Sequence, residues 1–108
     1  MTSTNAEQEA NSKIKNCIDQ ALDSYGDSVK QVIYWNLEKM FGITSDRIPE
    51  NPEKFVSALE KIFGAGAGIV ERTIINEISL VPGIGNLKSD DLVKALRTGC
   101  RHFQGLDD

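Results

Sequence analysis

The stretch that decides the fold is "GAGAGIVERTIINEISLV", Gly64 to Val81. Its density of Ile, Val and Thr suits a β-strand, but Val70, Ile74, Ile78 and Val81 recur at the spacing of one helical face, and Ile75 lies beside them. A half-buried strand needs strict alternation of apolar and polar residues, and none is present. The segment therefore reads as a helix. Ile69, Thr73 and Leu80 extend its apolar character toward a second side, which predicts the central helix of the fold.

Working toward the N-terminus, Asn51 followed by Pro52 is a helix start. The Asn side chain is expected to cap, and Pro fits the first helical position, where an N–H would have no partner. Phe55, Val56, Leu59, Ile62 and Phe63 form the buried face of that helix, and Gly64 closes it. Before it, "ITSDRIPENP" is a connector with one turn around Ser45 to Ile48. The preceding helix, "SVKQVIYWNLEKMF", has a broad apolar arc of Val29, Val32, Ile33, Leu37, Met40 and Phe41, with Asp27 or Ser28 as its expected cap. Gly42 supplies its left-handed C-terminal cap. The first helix carries Ile14, Cys17, Ile18, Ala21, Leu22 and Tyr25 on one face, and residues 1–10 read as a flexible lead-in. After "VPGIGN", Ser89 is expected to cap a last helix faced by Leu92, Val93, Leu96, Cys100 and Phe103. The prediction is all-α: a single compact bundle of about five helices over residues 11–108. The second, third and fourth helices make the core, and the terminal helices pack across them.

Composition narrows the function classes. A formal charge of -4 and a pI near 5.0 oppose a general role in coating nucleic acid, which needs surplus Lys and Arg to displace counterions from phosphates. The start "MTSTNAEQEA" lacks a basic region followed by an apolar run, and no apolar run is long enough to span a bilayer. The chain is expected to be cytoplasmic and away from membranes. Cys17 and Cys100 each fall on an apolar helical stripe, as small buried hydrophobes do.

"PGIG", Pro82 to Gly85, resembles the turn of a DNA-gripping helix-hairpin-helix, in which Gly83, Gly85 and Lys88 would meet a phosphate. There the next helix follows at once, whereas here "NLK" intervenes and Asp90 and Asp91 would repel the anion. Nucleic acid is therefore not the expected partner, and a DNA-associated regulator using Val81 to Lys88 stands as an alternative. "GAGAG" follows a helix rather than a strand, and lacks the Lys-Ser/Thr pair of a phosphate-binding loop. Its glycines are expected to permit a sharp turn and close helix contact. His102 stands alone, so no common zinc site or histidine-based triad is implied. The expected cofactors, metals and catalytic residues are accordingly none.

Three polar or amphipathic positions need partners. Asn36 falls inside the second helix's apolar arc, where a paired Asn can fix register or oligomeric state. Glu71 lies within the Val70/Ile74/Ile78 stripe. It is either a desolvated acid in an inter-helix pocket, as in a sensor or enzyme, or a solvent-near residue of the first turns. Trp35 lies opposite the arc's centre, either as part of a partner surface or under a neighbouring element.

"YWNLEKMFGI", "IPENPEKF" and "LEKIFGAGAGIVE" follow one another within Val32 to Ile78. This block resembles a family of small uncharacterised archaeal and bacterial helical domains. Some members are labelled output domains of predicted signalling proteins in ammonia-oxidising archaea. After Ile78 the sequence departs from the family pattern at "SLVPGIGNLKS". The resemblance implies an all-helical, non-enzymatic signalling or regulatory module. Joined to the residue reading, it predicts a homodimer or partner binder, with Tyr34 and Trp35 near the contact surface and Asn36 setting register.

Overall fold

The β-branched stretch folds as a helix. The computed structural model describes residues 2–84 and 91–104, with side chains from Gln8 onward. Five α-helices and no strand occur among these residues: α1 (Thr2–Asp23), α2 (Asp27–Phe41), α3 (Pro52–Phe63), α4 (Ala67–Ser79) and α5 (Leu92–Phe103). Two 3-10 helices, Ser45–Glu50 and Gly64–Gly66, link α2 to α3 and α3 to α4. The all-α bundle is as expected. No helix among the described residues is long and apolar enough to cross a membrane.

The core is a continuous set of fully buried side chains. Ile14 and Ile18 of α1 join Ile33 and Leu37 of α2, Phe55 and Leu59 of α3, Ile74 and Ile78 of α4, and Leu92 and Leu96 of α5. Each pair is spaced by four residues and so projects from one helical face. Full burial of such a side chain stabilises the fold by about 1.5–3 kcal/mol.

The arrangement around this core differs from the expected one. α1 packs against α2, α4, α5 and the Ser45–Glu50 helix, whereas α2 touches α1, α3 and that same helix but neither α4 nor α5. The first helix is thus a hub of the packing, as α3 is, and α2 lies at the edge. The physical reason is the line Ile14, Ile18, Leu22, which gives α1 a longer buried stripe than the Ile33 and Leu37 that α2 buries completely. α4 also has one buried side rather than two: Ile69 is 69% and Leu80 74% exposed. α1 begins at Thr2 and Ala10 is fully buried, so helix occupies the segment read as a flexible lead-in.

The helix ends also correct the sequence reading. Gly26, at φ 100, occupies the α2 N-cap, and Asp27 is the first helical residue, beside the positive end of the dipole. Asn51 occupies the N-cap position of α3 as expected, but its side chain turns backward and donates to the Arg47 carbonyl at 3.2 Å instead of capping the helix. Asp91 caps α5, accepting from the Val93 and Lys94 N–H groups; Ser89, the expected cap, lies outside the described residues. A side chain at Gly68 would meet nothing within 4 Å, so close helix contact is not its role. That contact occurs at Gly99 instead, where a Cβ would stand 2.7 Å from Ile14 Cδ1 and 3.3 Å from Ile78 Cγ2.

Polar ties fasten α1 to its neighbours. Tyr25 donates to Thr73 Oγ1 at 2.8 Å, and the Thr73 hydroxyl in turn donates to the Ile69 carbonyl at 2.9 Å. On the α2 side, Asp19 accepts from the Tyr34 hydroxyl and from the Lys15 ammonium. Burial pushes the Asp19 carboxyl up, but the Lys15 and Tyr34 bonds, with the Lys15 and Lys30 charges, outweigh it and hold the group below its ordinary 3.8.

A carboxyl lowered in this way stabilises the fold above its unfolded pKa and loses that contribution as pH falls through the folded value. Tyr34→Phe is therefore expected to cost about 1.5–3 kcal/mol at pH 7, the range for a hydrogen bond to a charged group. The gap between wild type and variant should narrow on acidification below about pH 4. Urea unfolding at pH 7 and in acid checks both, and a gap independent of pH would contradict the assigned bond.

Candidate functional site

Burial of Ile33 and Leu37 turns the opposite side of α2 to solvent. Trp35 is 60% and Val32 50% exposed, one helical turn apart, and they line a shallow hollow of about 370 Å³ with Ser28 and Gln31. The Lys39 ammonium stands 5.7 Å from the centre of the Trp35 ring, a cation–π contact one turn further on. Met40 is also exposed. The edge position of α2 explains this face: no other described element packs over it. Indole, valine and the Lys39 cation together form a surface that can exchange water for a partner's apolar groups.

The other two residues expected near this surface have different roles. Tyr34 is half-buried and turned toward α1, where burial and the Asp19 bond push its phenol well above the ordinary 10.0. It is an internal tie, because the next residue along a helix projects about 100° away. Asn36 is half-buried and donates to the Val32 carbonyl of its own helix at 2.8 Å. The partner that its place in the apolar arc demanded is thus backbone one turn earlier.

Glu71 is half-buried on α4, in an open cleft of about 590 Å³ with Ala65, Gly68, Ile69, Arg72 and Thr73. Burial, followed by the charges of Glu60 and Asp91, raises its carboxyl above the ordinary value. An acid of this kind needs a second group positioned for transfer. Thr73 does not supply one, since its hydroxyl is committed to Tyr25 and the Ile69 carbonyl. Among the described residues no group of three His, Cys, Asp or Glu side chains could hold a metal ion.

In the turn after α4, Gly83 has φ 94 and lies under the His102 ring, which leaves 2.7 Å between Cε1 and any added Cβ. Gly85 and Lys88 lie outside the described residues. At the start of α5, the Asp91 carboxylate accepts from Val93 N at 3.0 Å and Lys94 N at 3.4 Å. A phosphate at this helix end would need those donors, and a negative group already occupies them. The thiols of Cys17 and Cys100 are unlinked and half-buried; burial and then the Glu77 charge push Cys17 up, toward its unreactive form.

One polar residue escaped the sequence reading. Asn11 is buried on α1, three residues before Ile14 and seven before Ile18, and it donates to Glu50 Oε2 at 2.7 Å. The spacing itself was the available signal, because it continues the Ile14/Ile18 face upstream. Comparison with protein-family models, curated proteins and solved structures finds no match to this chain.

Proposed function

We propose that this chain is a non-enzymatic helical interaction module, of the signal-output or regulatory kind. It works in the cytoplasm by self-association through the outer face of α2. The observation that carries this reading is Trp35, 60% exposed beside Val32 at the edge of the bundle. Exposed tryptophan is costly to leave in water and is enriched among residues that dominate binding energy at interfaces. The likeness of Val32 to Ile78 to helical output domains supports the same assignment, since that block contains α3, most of α4 and the part of α2 from Val32 onward, Trp35 included.

Light scattering after size exclusion tests the reading on wild type and Trp35→Ala. The expected result is a wild-type dimer and a variant that dissociates at least about tenfold more readily, a loss of 1.4 kcal/mol or more. Far-UV circular dichroism should be unchanged, because Trp35 takes no part in the core. Equal masses for both proteins across the concentration range would overturn the role of Trp35 in self-association. A small-molecule sensor built on Glu71 is the second reading, supported by its raised carboxyl in the α4 cleft.

A further inference from the structure

Asn11 is the one buried polar residue among those described, 8% exposed on a face otherwise made of Ile14 and Ile18. Its amide nitrogen is used by Glu50, while its amide oxygen receives no hydrogen bond from a described group. No fully enclosed side-chain nitrogen or oxygen among the described residues lacks a partner. The Asn11 oxygen is therefore not fully enclosed, and Asn11 borders a space from which a donor can approach it. That space is a hollow between α1, the Ser45–Glu50 helix and the C-terminal end of α5. It comprises two regions of about 290 and 470 Å³ that share Gln8, Asn11, Arg47 and Glu50 as lining.

The charges around the hollow have a definite order. Asp46 stands at one end, its carboxyl held below the usual range by the Thr44 hydroxyl. Glu50 holds the floor through Asn11, and its other oxygen meets the Arg47 guanidinium only at 3.7 Å. Arg47 is largely exposed and so has donors to spare. A simple anion would face two carboxylates here, and a simple cation would face Arg47. An apolar ligand would strip water from Asn11 and Glu50 without replacing it. A zwitterion satisfies both signs.

We propose that this hollow binds a free α-amino acid, with its ammonium on Asn11 Oδ1 and the Glu50 carboxylate and its own carboxylate on Arg47. Fastening α1 to the 3-10 helix accounts for the Asn11 nitrogen and leaves its oxygen available to accept from a ligand donor that displaces water. The combined space lies within the range of small-molecule sites, about 300–1,000 Å³. No residue of α2 is involved, so the site is independent of the Trp35 face.

The test is a ¹⁵N–¹H NMR titration of the full chain with glycine, alanine, glutamate and lysine, each up to about 10 mM, a range that detects millimolar dissociation constants. N-acetylglycine, which lacks the ammonium, and glycinamide, which lacks the carboxylate, are the blocked probes. The expected result is saturable shifts at the amides of Gln8, Asn11, Arg47 and Glu50 with at least one free amino acid and with neither blocked form. Arg47→Ala, at an exposed position, should weaken that binding by about tenfold or more. Asn11→Leu should abolish it while keeping α1 apolar. Absence of saturable shifts there with every free amino acid would overturn the proposal, as would equal shifts with the blocked forms or no effect of Arg47→Ala.

Discussion

Replacing Phe55 with alanine is expected to remove about 3–5 kcal/mol of stability, the cost of emptying a fully packed aromatic site. Phe55 is the largest of the completely buried side chains, and α3, which carries it, touches α2, α4 and α5. Collapse of one wall cannot refill such a site without disturbing the other two. At roughly 4–8 °C per kcal/mol for a domain of this size, the midpoint of thermal unfolding should fall by about 12 °C or more. Ile69→Ala is the matched control on α4: its side chain is mostly in water, and a change within about 0.5 kcal/mol is expected. Circular dichroism at 222 nm during heating measures both. A Phe55→Ala loss smaller than about 1 kcal/mol would mean that the site is not packed as described.

The second large effect is expected at Gly99, and its sign depends on the substituent. Alanine gains up to about 1 kcal/mol of helix propensity over glycine, against a Cβ that must displace Ile14 Cδ1 from 2.7 Å and press on Ile78 Cγ2 at 3.3 Å. The Ile14 methyl is the far end of a flexible chain and can rotate away. The Ile78 methyl is attached to its β-carbon and yields less. Gly99→Ala should therefore fall within about 1 kcal/mol of wild type. Gly99→Leu has no such escape, since its branch would enter the space filled by both isoleucines. Overpacking of this kind costs about 1–3 kcal/mol or more, and here it strikes the junction of α1, α4 and α5 together. Urea unfolding of the two variants decides the matter. A leucine tolerated as well as alanine would show that the helices stand further apart.

Apolar periodicity made the helices legible, including α4, whose β-branched residues disguised it. Periodicity reports which side of a helix is apolar but not how many neighbours cover it. That is why Val32, Met40, Ile69 and Leu80, which the pattern assigns to apolar faces, are exposed. The helix caps were misread for a related reason. Asn51 holds the expected N-cap position of α3 but turns its side chain elsewhere, whereas the choice among adjacent candidates at α2 and α5 rests on backbone angles: a glycine at φ 100 precedes α2, and Asp91 caps α5. Trp35 was legible as an anomaly because an indole on a polar stripe has few explanations. Tyr34 was not, since its partner Asp19 lies across a helix pair that no local pattern reveals. Asn11 was missed because a single polar residue at the head of an apolar stripe looks like the start of the stripe.

The hub position of α1 has a consequence for how the chain acquires its structure. Its closest associates include α4 and α5, which are translated long after it. Helical bundles whose neighbours follow in chain order close short loops and fold fast; this topology spans most of the polypeptide before α1 gains those partners. During synthesis the Ile14, Ile18 and Leu22 stripe must wait, uncovered by α4 and α5, until those helices leave the ribosome. Emergence of α4 and α5, rather than formation of the first helix, is thus the event that completes the core.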